Sequence, residues 1–191
     1  RACRRCKCRY LNQFTDEQGG IPVRRIVRAH AAPVAPGYEM HAPPARERTS
    51  LRRFQWLHRQ VTPHARVLEV GVRDGSFGAL TSREYEYVGI DPASAAARHA
   101  RSRGLEVYCA SLSSFVNTGP AFDAITLFHV FENMADPHDA LGRIKELLKP
   151  GGLLYLVTPD IDSLSARLLR GYWWGLRPAH LYYFSRRTLD S

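Results

Sequence analysis

The 191 residues suit one domain with enough length to bury a core, and 45% hydrophobic with 24% charged residues is an ordinary globular balance. No apolar run approaches the roughly 18 residues that cross a bilayer, which excludes a transmembrane helix and any membrane partner of that kind; no signal-peptide pattern opens the chain. The net charge of +9 is nearly all arginine and is spread along the chain, so a solvated basic surface is expected ahead of a nucleic-acid face.

Residues 1–45 are basic and proline-rich and read as an arm and linker, with the folded domain over 46–191. The chain opens on Arg1 rather than Met, so an upstream piece is expected. Cys3 and Cys6 have the spacing of half a zinc site, with Cys8 as a third ligand and His30 or His41 as a distant fourth. No second Cys pair follows, so an arm without metal is the expectation, in a reducing cytoplasm. Leu51, Phe54, Leu57 and Val61 recur at helical spacing and predict a helix over 47–60, stopped by Thr62-Pro63.

Strands and helices then alternate. Strands are predicted at 66–70, 87–90, 105–109, 122–128 and 153–157, with helices at 76–82, 92–103 and 136–149 between them. Gly104 is placed to end the third helix, and Pro150-Gly151-Gly152 reads as a turn. Short apolar strands alternating with helices predict an α/β fold with a mostly parallel sheet covered on both faces. After Thr158 the pattern loosens; Leu164, Leu168 and Leu169 suggest one more helix, and Ser185 can cap a last one.

Ligands of such a sheet bind outside the carboxyl ends of its strands. Gly71 and Gly75 follow the first strand and permit a tight turn with close backbone approach. Asp91 ends the second strand, where a carboxylate can accept both ribose hydroxyls of an adenosine cofactor. A dinucleotide loop would read G-x-G-x-x-G. Arg73 stands at its second glycine, which argues against NAD or FAD.

The segment LEVGVRDGSFG resembles the first motif of class I S-adenosylmethionine-dependent methyltransferases, VGIDPA resembles their second, and residues 122–160 resemble their fourth strand, following helix, Pro-Gly-Gly turn and fifth strand. HLYYFS is similar to a segment near the acceptor site of the small-molecule and sugar branches. The resemblance implies a Rossmann-like fold, S-adenosyl-L-methionine as cofactor and methyl transfer to a small-molecule acceptor. It implies Glu69, Gly71 and Gly75 around the methionine part, Asp91 on the ribose, Pro92 beside the adenosine, Ser111 and Leu112 at the adenine, and Phe128 and His129 beside the cofactor. The chain departs from the family at Arg73 and at Asn133, where many relatives have His. The Arg73 side chain either points outward or meets the cofactor's carboxylate.

Methyl transfer mainly needs alignment, helped by a base when the acceptor is a hydroxyl or an acidic carbon. His180 and Tyr183 are the candidate catalytic residues, and a backbone-bonded structural His is the alternative for His180. Glu132 is read as a capping or orienting residue. Of Tyr182 and Tyr183, one is expected to face the pocket and the other the core. Trp173 and Trp174 form either an aromatic wall or core. The C-terminal arginines, from Arg167 to Arg187, either hold an anionic acceptor or are solvated. Two other readings stay open: a nucleic-acid methyltransferase or RNA binder on the same fold, and a cofactor-binding domain that has lost catalysis. Class I relatives usually have seven strands and only five are counted here. A truncated sheet with its fifth strand at the edge is therefore expected, with a homodimer through that edge as one way to cover it.

Overall fold

Side chains of successive strand residues point to opposite faces, and the computed structural model shows what covers each face. It describes residues 44–177 and 179–189. Cys3, Cys6, Cys8, His30 and His41, and with them the zinc question, lie outside the described residues. Five strands, β1 (Arg66–Val70), β2 (Glu86–Ile90), β3 (Val107–Tyr108), β4 (Phe122–Phe128) and β5 (Leu148–Val157), form one sheet in the order β3-β2-β1-β4-β5. Every pairing is parallel.

On one face Leu68, Val70, Ile125, Leu127, Leu154 and Leu156 join Leu141, Ile144 and Leu147 of a helix over Pro137–Leu147. On the other, Val67, Ala124, Phe128, Leu153, Tyr155 and Val157 meet Leu57 and Phe77. Those two residues come from α1 (Pro44–His58) and α2 (Ser76–Thr81). α3 (Ser94–Ser102) buries Ala97 and Ala100 against Val72, Tyr87 and Val107, so Pro137–Leu147 is α4. Each buried Val, Leu or Ile contributes about 1.5–3 kcal/mol. The architecture is the expected Rossmann-like α/β sheet with helices on both faces.

Several boundaries move. α1 starts at Pro44 and stops at His58, ahead of the predicted 47–60. α3 begins at Ser94 because Asp91 and Pro92 belong to the turn, with extended Ala93 as the cap. β3 keeps only two of its five predicted residues. α4 opens as predicted, with Asp136 accepting from the backbone amides of His138 and Asp139 and Pro137 in its first turn. It ends at Leu147 rather than Lys149. The residue before a proline is pushed from helical to extended backbone. Lys149, which precedes Pro150, is so restricted, and Leu148 is already extended as the helix cap and pairs with Phe122 in β5; Pro150-Gly151-Gly152 forms an irregularity inside the strand, before Leu153 pairs with Ala124.

Beyond β5, α5 (Leu164–Leu169) is capped by Ser163, and the chain returns to the strand ends, where Phe184 bridges Asp160 in parallel. α6 (Arg186–Leu189) is a single turn led in by Ser185, whose hydroxyl and carbonyl bond Thr188. Among the described residues β5 has no strand on its outer side. No described helix is long and apolar enough to cross a membrane.

Candidate active site

The chain runs outward from β1 through β2 to β3, then returns to lay β4 on the other side of β1. The strand order therefore reverses between β1 and β4, and the loops leaving these two strands diverge to open a crevice. Gly71 follows β1 with φ +84°, and a Cβ there would run into Val130 from the β4 loop. No residue with a side chain fits that position without moving the wall.

Arg73 adopts φ +55°, the backbone conformation a glycine would take. Its amide donates to Asp91 Oδ2 at 3.0 Å, and the Ala93 amide donates to Oδ1 at 2.9 Å. The departure from the glycine pattern is thus absorbed by the backbone, and two charge-assisted bonds orient the Asp91 carboxylate. The Arg73 side chain lies within electrostatic reach of Arg53. Gly75 also has positive φ and leads into α2, and Asp74 accepts from the Ser76 amide at 3.0 Å.

A cavity of about 400 Å³ lies beside this loop, lined among others by Gly71, Pro92, Ser111, Leu112, Val130 and Met134. Four of the predicted cofactor residues therefore share one cavity. Ser111 is fixed by bonds to Ser113 and Ser114. Glu69 stands off the lining, buried, accepting from Tyr87 Oη at 2.6 Å. Burial pushes its carboxyl up to about 8, against the opposing pull of the Tyr87 bond and the Arg53 charge. Phe128 faces the α1 side, packed edge-on to Phe77 and Tyr155 with the Arg53 guanidinium 4.3 Å above its ring.

Arg53 was not among the residues expected here. It is mostly buried, its Nε has no hydrogen-bond partner, and burial lowers its pKa. The available signal was an arginine four residues before Leu57, on the face of α1 that must turn inward.

The second wall comes from the β4 loop and the C-terminal segment. His129 has φ +58°, its amide donates to the Val157 carbonyl at 2.8 Å, and its carbonyl accepts from Asn133 Nδ2. Asn133, the other departure, thus braces His129. His129 Nδ1 lies 3.3 Å from Oε1 of buried Glu132. The Glu132 carbonyl accepts from the amides of Leu181 and Tyr182, which docks the C-terminal segment on the β4 loop. His180 Nδ1 sits 2.8 Å from the Gly175 carbonyl, and its Nε2 is 3.9 Å from Glu132 Oε1. Tyr183 lies beside the His180 ring and donates to the Arg177 carbonyl, whereas Tyr182 packs on the core and donates to the Ala135 carbonyl. The tryptophans divide the same way: Trp173 is buried, and Trp174 meets His129 edge-on.

Residues 41–191 match the family model described as a methyltransferase domain. A demethylmenaquinone methyltransferase of Thermus thermophilus is 34% identical over 101 residues, covering 48% of this chain and 46% of that protein, so the match spans about half of the relative's length. A solved methyltransferase of Thermotoga maritima, described as a possible histamine N-methyltransferase, aligns with TM-score 0.59 at 24% identity, over 75% of this chain and 68% of that one. The YcgJ protein of Bacillus subtilis aligns with TM-score 0.58 at 18% identity, over 75% and 64%. The N-methyltransferase NodS of Bradyrhizobium japonicum, solved with S-adenosylhomocysteine, aligns at 0.52 and 19%, over 59% and 61%. The structural likenesses agree with the parallel sheet and its switch-point crevice, and the family match spans every strand that builds it: the chain belongs to the methyltransferase domain family.

Proposed function

We propose that the chain is an S-adenosylmethionine-dependent methyltransferase acting on a small-molecule acceptor. The observation that carries this reading is the Asp91 carboxylate, held by the Arg73 and Ala93 amides at the end of β2 beside the cavity lined by Gly71, Pro92, Ser111 and Leu112. An oriented carboxylate suits the two ribose hydroxyls, and the largely apolar cavity beyond it suits an adenine. Gly71, Gly75 and Glu69 then lie toward the methionine part, and the orphaned Nε of Arg53 offers a donor near Glu69. When bound, the cofactor supplies an activated methyl group on a sulfonium. The chain's own task is to align an acceptor and take its proton, on the wall that carries Trp174, His129, His180 and Tyr183.

The small-molecule acceptor is supported by the relative named for demethylmenaquinone and by neighbours named for plantazolicin, both small molecules. A cytoplasmic location goes with this reading, since Cys109 is free and exposed. So does pairing of two copies through β5, which sedimentation would detect.

Isothermal calorimetry with S-adenosylhomocysteine tests the cofactor placement. Losing a charge-assisted bond costs about 1.5–3 kcal/mol, so Asp91→Ala should bind roughly 10- to 100-fold more weakly. Equal affinity in mutant and wild type would remove Asp91 from the ribose.

A further inference from the structure

Glu132 is 1% exposed, and neither of its carboxylate oxygens completes a hydrogen bond. A carboxylate that deep stays ionised only if opposite charge or donors meet it. Two imidazoles approach the same oxygen, His129 through Nδ1 at 3.3 Å and His180 through Nε2 at 3.9 Å.

The protons on His180 follow from its other partner. A carbonyl only accepts, so the contact with Gly175 places a proton on His180 Nδ1. Were that the ring's only proton, the Nε2 lone pair would face a carboxylate oxygen, two acceptors against each other. One further proton between His180 and Glu132 relieves that clash, and placed on Nε2 it would make both ring nitrogens of His180 donors.

His129 is arranged differently. Its Nδ1 faces Glu132, and its Nε2 makes no hydrogen bond among the described residues. Its side chain is 15% exposed against 9% for His180. It directly follows β4 at the point where strand order reverses, its backbone pinned on both sides, with Trp174 against its ring. The titratable groups meeting here are His129 and Glu132 from the β4 loop and His180 and Tyr183 from the C-terminal segment.

We propose that His129 is the general base for the methyl acceptor, that Glu132 positions it through Nδ1–H, and that His180 is the cation that keeps Glu132 ionised. This rests on the methyltransferase reading above. The acceptor's O–H or N–H gives its proton to His129 Nε2 while its oxygen or nitrogen bonds to the methyl carbon. The carbon–sulfur bond breaks with its electron pair left on sulfur, and the resulting His129 imidazolium later returns its proton to solvent. A carboxylate that fixes the tautomer and bears up the imidazolium is the logic of a hydrolase triad without its nucleophile. His180, the candidate base by position in the sequence, becomes a clamp.

The test uses the full chain saturated with S-adenosylhomocysteine at pH 7. Nitrogen-15 histidine spectra should show His129 neutral with its proton on Nδ1, and His180 protonated on both nitrogens. Glu132→Gln should strip the second proton from His180. In the same complex, diethyl pyrocarbonate should modify His129 at least about ten-fold faster than His180, read by peptide mass spectrometry, because it attacks a free imidazole nitrogen. His129 with its proton on Nε2, or faster modification of His180, overturns the assignment. The wild-type spectrum decides this even if the variant fails to fold. Absence of S-adenosylhomocysteine binding in calorimetry sinks the methyltransferase reading itself, and the base with it; binding with the wrong tautomer sinks the base alone.

Discussion

On the side of the crevice proposed for the cofactor the wall is backbone. The Gly71 amide bonds the Ile90 carbonyl, the Arg73 amide bonds Asp91, and both loops grow from strands paired on two sides. On the side proposed for the acceptor the wall is a returning segment. It is held by two amides on the Glu132 carbonyl, one strand-like bridge at Phe184 and the Tyr182 hydroxyl on Ala135, while the Tyr183 hydroxyl ties the segment to itself at Arg177. It also leaves Leu164, Leu168, Tyr172 and Leu181 exposed. A cofactor common to a family can be met by geometry built into the sheet. An acceptor that differs between relatives is met by a segment whose side chains can change without disturbing the sheet.

The largest effect should come from giving Gly71 a side chain. Gly71→Ala places a Cβ against Val130 and forces φ +84° on an L-residue. Left-handed backbone costs about 1–2 kcal/mol and overpacking about 1–3, so a loss of roughly 2–5 kcal/mol is expected. Urea unfolding measures it, and calorimetry should show weaker S-adenosylhomocysteine binding in the same variant. Unchanged stability and affinity would mean that the β4 loop is not the rigid wall described.

A pH measurement sharpens the comparison next. Glu69 is buried, with its pKa raised from 4.5 to about 8, chiefly by desolvation. The folded state therefore holds this proton more tightly than the unfolded chain. The contribution is fully present below about pH 4.5, where both states are protonated, and is lost as pH rises to about 8. Unfolding free energies at pH 5 and pH 8 should differ less in Glu69→Gln than in wild type, since the amide keeps the Tyr87 partner without titrating. Identical pH slopes would place the Glu69 carboxylate in contact with water.

Much of the wall proposed for the cofactor was legible because it is local. The β1 apolar run, the glycines after it and Asp91 at the end of the next strand follow one another in sequence, and the parallel sheet converts that spacing into a crevice. What was missed depends on distant chain meeting. Arg53 reaches Phe128 only because α1 docks across the sheet. The roles proposed for His129 and His180 rest on Glu132 standing between them, which no spacing in HLYYFS reveals. The β5 irregularity was hidden because Pro-Gly-Gly reads equally as a turn or a bulge until the partner strand is known.

The smallest effect should come from Tyr182→Phe. The Tyr182 hydroxyl donates to the Ala135 carbonyl at 2.8 Å in an exposed setting, and its ring stacks on Phe184. Removing the hydroxyl spares the ring packing and leaves Ala135 open to water, so the net loss should sit near the low end for a hydrogen bond, about 0.5 kcal/mol. For a domain of this size that shifts Tm by only about 1–2 °C. Local opening should respond more, because few contacts share the work of holding the segment. The amides of Leu181 and Tyr182, which bond the Glu132 carbonyl, should exchange with deuterium faster in the variant, while the central β1 and β4 amides keep their wild-type rates. Equal acceleration in both places would show that the acceptor wall opens only when the sheet does. The segment would then be part of the same cooperative unit as the cofactor wall, and the contrast between the two sides would not hold.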